Sequence, residues 1–359
     1  MHVDLGVALA GLIVGFTVGL TGMGGGALMT PILVLLFKIQ PLAAVSSDLV
    51  AAVIMKPVGG GVHVRRGTVN WSLVRWLAVG SVPAAFLGVF VLKTLGNGDR
   101  VQSRLKVLLG AVLLMAAGSM VVKGVLQMRR ERRHEAEVEA GRPGGPGPFQ
   151  LKPIPTLAIG MVGGLIVGMT SVGSGSLIII ALILLYPMLS MRQLVGTDLV
   201  QAIPLVASAA LAHILFGDFQ LSLTASVLLG SIPGVYLGAR VSSRTRDSVI
   251  RPALVVVLVA SALKLLSVPT DVLGWTVLAF VLLGLPAWGA IDAFGRPEHH
   301  WRTAGLSKPK WMAWQAMGAP FGVGFAVALA YFRSARPKLR RAAAVWSVAL
   351  LGDEHLALG

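Results

Sequence analysis

One stretch of this chain occurs twice, and each copy interrupts an apolar segment with glycines and hydroxylic residues. The first copy is Thr21-Gly22-Met23-Gly24-Gly25-Gly26-Ala27-Leu28 and the second is Thr170-Ser171-Val172-Gly173-Ser174-Gly175-Ser176-Leu177. The flanking sequence keeps register with them. Gly15 and Gly19 align with Gly164 and Gly168. After one inserted residue, Ser47-Asp48-Leu49-Val50 aligns with Thr197-Asp198-Leu199-Val200, His63 with His213, Gly67 with Gly217, Gly80-Ser81-Val82-Pro83 with Gly230-Ser231-Ile232-Pro233, and Gly88 with Gly238. Agreement over this length reads as a duplicated unit, with the glycine break as its most informative part.

Composition says which solvent that unit meets. With 55% hydrophobic and 13% charged residues, the chain carries more apolar surface than a water-soluble core of its length buries. It reads as an all-α polytopic membrane protein. Most of the +16 formal charge falls in short loops between apolar segments, where Lys and Arg set topology, so nucleic acid is not expected as a partner. The absence of cysteine excludes disulfide and thiol chemistry. The N-terminus lacks a basic leader region, and its apolar run leads into the first break, so it reads as mature protein.

The apolar runs at 7–20 and 27–37 would be roughly 20 and 16 Å long as helices, short of a ~30 Å hydrocarbon core. They read as one broken helix or a re-entrant pair. Spans follow at 43–63, 73–93 and 105–126. The second unit repeats the order, with short segments at 156–169 and 177–188 and spans at 199–216, 221–240 and 251–268. The expected fold has two homologous halves of about four spans each, with broken or re-entrant first helices, and two appended C-terminal segments. Repeat 1 is 1–127 and repeat 2 is 156–268. Between them, 128–155 is a linker: a short solvated helical extension rich in Arg and Glu, then a turn-rich Gly/Pro tether. Appended membrane segments occupy 269–332, at 273–291 and 311–331, and a basic tail occupies 333–359. Loop charge does not decide whether the halves are parallel or inverted.

A helix broken inside a membrane frees backbone groups that cost several kcal/mol each if they face lipid. Where a second helix starts beside such a break, its N–H groups and positive dipole end suit an anion. The substrate-binding candidates are therefore Thr21, Gly22, Gly24, Gly25 and Gly26 in the first break, and Thr170, Ser171, Gly173, Ser174, Gly175 and Ser176 in the second. The competing reading is that the glycines serve helix packing and the hydroxyls satisfy freed backbone. Lys56, beside Pro57 in an apolar span, is a further candidate as the cation facing a bound anion. Its alternative is a lysine snorkelling to the headgroups. Asp48 and Asp198 are candidate proton handlers, or N-caps of the spans behind them. His63 and His213 lie near span ends and read as interfacial, with gating or proton relay as the alternative. Pro83 and Pro233 read as first-turn prolines or kinks.

Enzyme signals fail on context. Gly22 to Ala27 satisfies a GxGxxA pattern but follows a membrane segment, not a strand, and no HExxH, GxxxxGK[ST] or GxSxG is present. Glu298-His299-His300 reads as a solvated loop rather than a metal site. No enzyme activity, cofactor or metal is expected.

The segment GLTGMGGGALMTPILVLL, its counterpart GMTSVGSGSLIIIALILL and the downstream SSDLV, GTDLV and GSIP resemble the TauE/SafE permeases, the sulfite exporter or TSUP family, over about residues 5–268. The resemblance implies secondary transport of small anions, sulfite and organosulfonates such as sulfoacetate, in either direction across a prokaryotic inner membrane and without an ATPase. The long charged linker and the appended segments depart from shorter members. The expected function is a multi-pass anion permease of the cell inner membrane, proton coupling included, with a small anion and the lipid bilayer as partners and homo-oligomer formation left open. The alternatives are an anion channel with the same site, or a membrane-embedded assembly or sensor subunit that docks through its basic tail.

Overall fold

The computed structural model describes residues 4–21, 25–94, 98–139, 149–216, 219–242, 247–269, 285–294, 296, 298–318, 324–339 and 341–342. Among them all regular structure is helical, apart from an isolated bridge between Gly173 and Gly175. Among the described residues six helices are long and apolar enough to cross a membrane. The all-α polytopic membrane fold is as expected. The chain divides into two compact units.

The first unit comprises Met1–Met120, Pro148–Asp247 and Val257–Pro269. Helix α1 (Leu5–Thr21) stops at the first break and α2 (Gly26–Leu35) resumes beyond it. Helices α3 (Pro41–Arg65), α4 (Trp71–Thr94) and α5 (Asp99–Glu139) follow. The same order then recurs as α6 (Pro153–Thr170), α7 (Leu177–Leu185), α8 (Met191–Phe216), α9 (Leu221–Ser242) and α10 (Asp247–Leu265). With 10 and 9 residues, α2 and α7 are too short to cross. At 18 residues α6 is longer than its expected 156–169 and qualifies as a span, because Pro153 at its first turn starts it early. Helix α5 runs on to Glu139, as the charged extension predicts. The tether that follows lies outside the described residues.

Local signals set the helix starts. The Asp4 carboxylate accepts the amides of Gly6 at 2.8 Å and Val7 at 3.2 Å, capping α1. Pro41 opens α3. Before α8, Ser190 and Gln193 form a reciprocal capping box: the Ser190 amide donates to Gln193 Oε1 at 3.0 Å and the Gln193 amide to Ser190 Oγ at 3.3 Å. Asp48 and Asp198 therefore stand well inside α3 and α8 and cap neither. Pro83 and Pro233 are likewise interior residues of α4 and α9, not first-turn ones.

Glycines bring the helices together. Helix α1 packs on α9 and α4 packs on α6. A Cβ at Gly15 would stand 2.8 Å from Ser231 Cα, and one at Gly164 2.6 Å from Ser81 Cα. In the sequence register Gly15 matches Gly164 and Ser231 matches Ser81, so the two contacts are counterparts. Gly11, Gly230, Gly234 and Gly238 line the first interface, and Gly80, Gly88, Gly160 and Gly168 the second. These are close backbone approaches of the small-xxx-small kind that hold helices together in lipid. Helices α3 and α8 cross each other at Gly60, against Ile203 and Val200.

The second unit comprises Val121–Gly147, Ser248–Val256 and Thr270–Gly359. Its described part holds α11 (Leu285–Phe294), α12 (Glu298–Thr303), α13 (Lys308–Gly318), α14 (Gly324–Ala330) and a π-helical turn, Tyr331–Ala335. Ala293, Trp301, Ala328, Tyr331, Ala335 and Leu339 form its core. Buried in it, Asp292 Oδ2 accepts the Tyr331 hydroxyl at 2.7 Å and pairs with the guanidinium Nε of Arg296 and of Arg336, each at 3.3 Å. The Glu298-His299-His300 stretch begins a helix that buries His300 and Trp301, so it is not the solvated loop expected. Most of 273–291 and of the tail lies outside the described residues, as do 319–323 within the appended segment 311–331.

Candidate functional site

The second break folds into a left-handed detour. Ser171 (φ 59°) ends α6, and Gly173 (φ 126°) and Gly175 (φ 90°) continue in backbone regions open to glycine. The Thr170 hydroxyl is spent on this turn, donating to the carbonyls of Ile166 at 2.6 Å and Val172 at 3.2 Å and accepting the Val172 amide. The amides of Ser176, Leu177 and Ile178 converge on the Gly173 carbonyl at 3.3, 3.0 and 3.5 Å. Ser176 Oγ also points there, at 3.5 Å. The donors that open α7 are thus turned onto the break's own backbone.

Two serines of the break face elsewhere. Ser171 Oγ donates to Asp48 Oδ2 at 2.7 Å, and the same oxygen accepts Thr30 Oγ1 from α2 at 3.0 Å. Ser174 Oγ accepts Lys56 Nζ at 2.5 Å. Lys56 is buried, so it does not snorkel, and its charge interacts with those of Asp198 and Asp48. Asp198 Oδ1 accepts Gln201 Nε2 at 3.1 Å, and Gln201 Oε1 accepts the Ser81 hydroxyl at 3.2 Å. A buried ammonium, two buried carboxyls and two serine hydroxyls thus form one cluster around the second break.

The first break reaches the same place. A Cβ at Gly26 would collide with the Ser171 carbonyl oxygen, whereas one at Gly25 would meet only Val18 and Met55 side chains, at 3.7 and 3.8 Å. Gly26 is what lets the two interruptions touch. Gly22, Gly24 and the Thr21 side chain lie outside the described residues.

Sequence reasoning missed four members of these networks: Thr30, Ser46, Ser81 and Gln201. Gln201, three residues beyond Asp198 on one helical face, was readable in principle. Ser46 pairs with His213, whose position also departs from expectation. His213 is fully buried rather than interfacial, with Nδ1 2.9 Å from Ser46 Oγ and Nε2 2.8 Å from the Gly168 carbonyl. His63 is only partly buried and reaches the Thr68 hydroxyl at 2.9 Å.

Known proteins agree with a transport architecture. Residues 7–265 match the family described as Sulfite exporter TauE/SafE. The chain is 39% identical over 269 residues to the probable membrane transporter protein YjnA of Bacillus subtilis (strain 168), an alignment covering 73% of this chain and all of that protein. It is 23% identical over 252 residues to YdhB of the same organism, also named a probable membrane transporter, covering 69% of this chain and 94% of YdhB. No solved structure matches the chain. Carrying the duplicated break, the buried cluster and this match along 7–265, the chain is a multi-pass membrane transporter, not an enzyme, and belongs to the sulfite exporter TauE/SafE family.

Proposed function

We propose that the chain is a secondary carrier of the cell inner membrane that moves a small anion, sulfite or an organosulfonate, together with a proton. One observation carries the reading: Lys56, a buried cation inside a span, reaches the serine that two left-handed glycines bracket in the second break. The anion takes the Ser174 end of this contact, with Lys56 Nζ as its counter-charge and the Ser174 hydroxyl as a donor, while Ser171 stays on Asp48. The glycines leave no side chain between solute and backbone. The family's description, which names sulfite, supports the substrate class.

Charge supports proton coupling. With Asp48 and Asp198 both ionised, these two carboxylates and Lys56 sum to minus one before any solute arrives. An anion entering beside two buried carboxylates meets repulsion that costs several kcal/mol. Protonation of one carboxyl with each anion bound removes it. In this reading the helices around the site rearrange between two facings, and differential affinity of the two couples anion to proton.

The test is uptake into proteoliposomes of sulfite, sulfate, sulfoacetate and chloride, with and without a pH gradient, followed by counterflow. A carrier accumulates its anion with the gradient and is accelerated by unlabelled anion on the far side. Gradient-independent flux without trans-acceleration refutes it in favour of a channel.

A further inference from the structure

Among the described residues of this unit, the cluster around Lys56 leaves two buried titratable side chains unused, Tyr186, whose hydroxyl is held by Thr156 and Lys152, and His213. His213, on α8, stands at the carbonyl end of α6. Because α6 turns left-handed at Ser171, Gly168 is among the last carbonyls, which lack an ordinary helical donor, and His213 Nε2 supplies one at 2.8 Å. A carbonyl only accepts, so Nε2 carries hydrogen and Nδ1 is the nitrogen free to change state.

Nδ1 faces Ser46 Oγ at 2.9 Å, and that hydroxyl also lies 2.8 Å from the Leu42 carbonyl. The arrangement is complete in two states. With a neutral ring, Ser46 O–H donates to Nδ1. With a protonated ring, Nδ1–H donates to Ser46 Oγ, and the hydroxyl hydrogen swings to the Leu42 carbonyl. No group is orphaned by the change, which is unusual for an imidazole fully out of solvent. The counterpart histidine lacks this device. Opposite His63 the position equivalent to Ser46 is Gly196, where a Cβ would lie 2.9 Å from His63 Nδ1, and the ring bonds to the Thr68 hydroxyl instead.

We propose that His213 is a proton-binding residue of the transport cycle, with Ser46 as the rotor that receives the added N–H. Imidazole and a proton become imidazolium. The proton arrives from the aqueous phase, a bond forms at Nδ1, and one hydroxyl rotation rebalances the hydrogen bonds. The ring joins α3, the end of α6 and α8, the helices that carry Asp48, Ser171 and Asp198, so its charge state bears on the same cluster. The titratable residues of the packed helices are Arg192 and Asp198 on α8, Asp48, Lys56, His63 and Arg65 on α3, and Arg75 and Lys93 on α4, with none on α6 or α7. Among the described residues the ring's polar partners are Ser46 and the Gly168 carbonyl, and no charged side chain bears on it.

The proposal rests on the carrier reading, and the test separates the two. Ring-nitrogen NMR of histidine-labelled full-length protein in nanodiscs, assigned with His213→Gln, follows the ring from about pH 8 to about pH 5. Parallel proteoliposomes measure sulfite and sulfoacetate uptake across the same range in wild type, His213→Gln and Ser46→Ala. The expected result is a ring that passes from Nε2–H alone to doubly protonated, and a pH profile of uptake that departs from wild type by about threefold or more within the range in both variants, while the carboxyl-linked dependence remains. A ring that stays singly protonated wherever the protein is folded overturns the proposal and needs no variant to transport. Identical pH profiles in wild type and Ser46→Ala overturn it while leaving the carrier reading intact. Absence of wild-type flux over a titrating ring sinks the carrier reading and the coupling with it.

Discussion

Gly25 and Gly26 are neighbours of one residue type at one helix start, yet a methyl group added to each meets opposite conditions. At Gly25 the nearest atoms are flexible side-chain ends at 3.7 and 3.8 Å, an ordinary contact, and φ is −60°, which alanine adopts freely. At Gly26 the methyl falls on the Ser171 carbonyl oxygen and stands 2.8 Å from that residue's carbonyl carbon and from its Oγ. Relief to normal separation moves Ser171 by roughly 1 Å or more, and overpacking of this kind costs about 1–3 kcal/mol. The same displacement breaks the 2.7 Å bond from Ser171 to Asp48, a charge-assisted contact worth about 1.5–3 kcal/mol. Gly26→Ala is therefore expected to lower anion uptake by about tenfold or more, and Gly25→Ala to change it by less than about twofold. Both variants are compared in proteoliposomes at equal reconstituted protein, with thermal unfolding in detergent alongside. Equal uptake by the two variants would refute the contact between the breaks as a working part of the site.

Lys56→Met removes the counter-charge and is expected to weaken anion uptake about 10–100-fold, with Lys56→Arg keeping part of it; solute competition curves measure both. Ser171→Ala leaves Asp48 with Thr30 as its hydroxyl partner and is expected to shift the pH dependence of uptake without preventing membrane insertion. Gly164→Ala places a methyl 2.6 Å from Ser81 Cα and is expected to destabilise the protein by about 1–3 kcal/mol, whereas Gly118→Ala, with nothing within 4 Å, is expected to be neutral in the same thermal scan. Asp292→Ala removes the buried carboxylate that the part-buried Arg296 and Arg336 share and is expected to cost about 3–5 kcal/mol, read as faster proteolysis within residues 285–342.

The interrupted helices were legible because glycine runs bounded by apolar segments too short for a bilayer leave few alternatives. The extension of α5 was legible from its alternating Arg and Glu. The start of α8 is written in Ser190 and Gln193, but the uninterrupted apolar run begins only at Leu199, which gives Asp198 the sequence position of a cap. The burial of Lys56 is legible from its place beside Pro57 in an apolar run. Its partner Ser174 and the tie from Ser171 to Asp48 cross more than a hundred residues of sequence, and no local spacing encodes them. His213 shows the limit most plainly. Its position near the end of α8 suggested the headgroups, and only the placement of Ser46 and Gly168 around the ring makes it interior.

The exchange of partners between α1 and α9, and between α4 and α6, bears on how the chain is made. The stripe of Gly11 and Gly15 finds its mate near Val227 and Ser231, so α1 is made well before the segment it packs on. Until then its narrow glycine face is uncovered, with the short α2 as its neighbour in sequence. A nascent chain stalled before α9 would therefore be an open assembly, vulnerable to quality-control proteases and receptive to the missing piece supplied as a separate polypeptide.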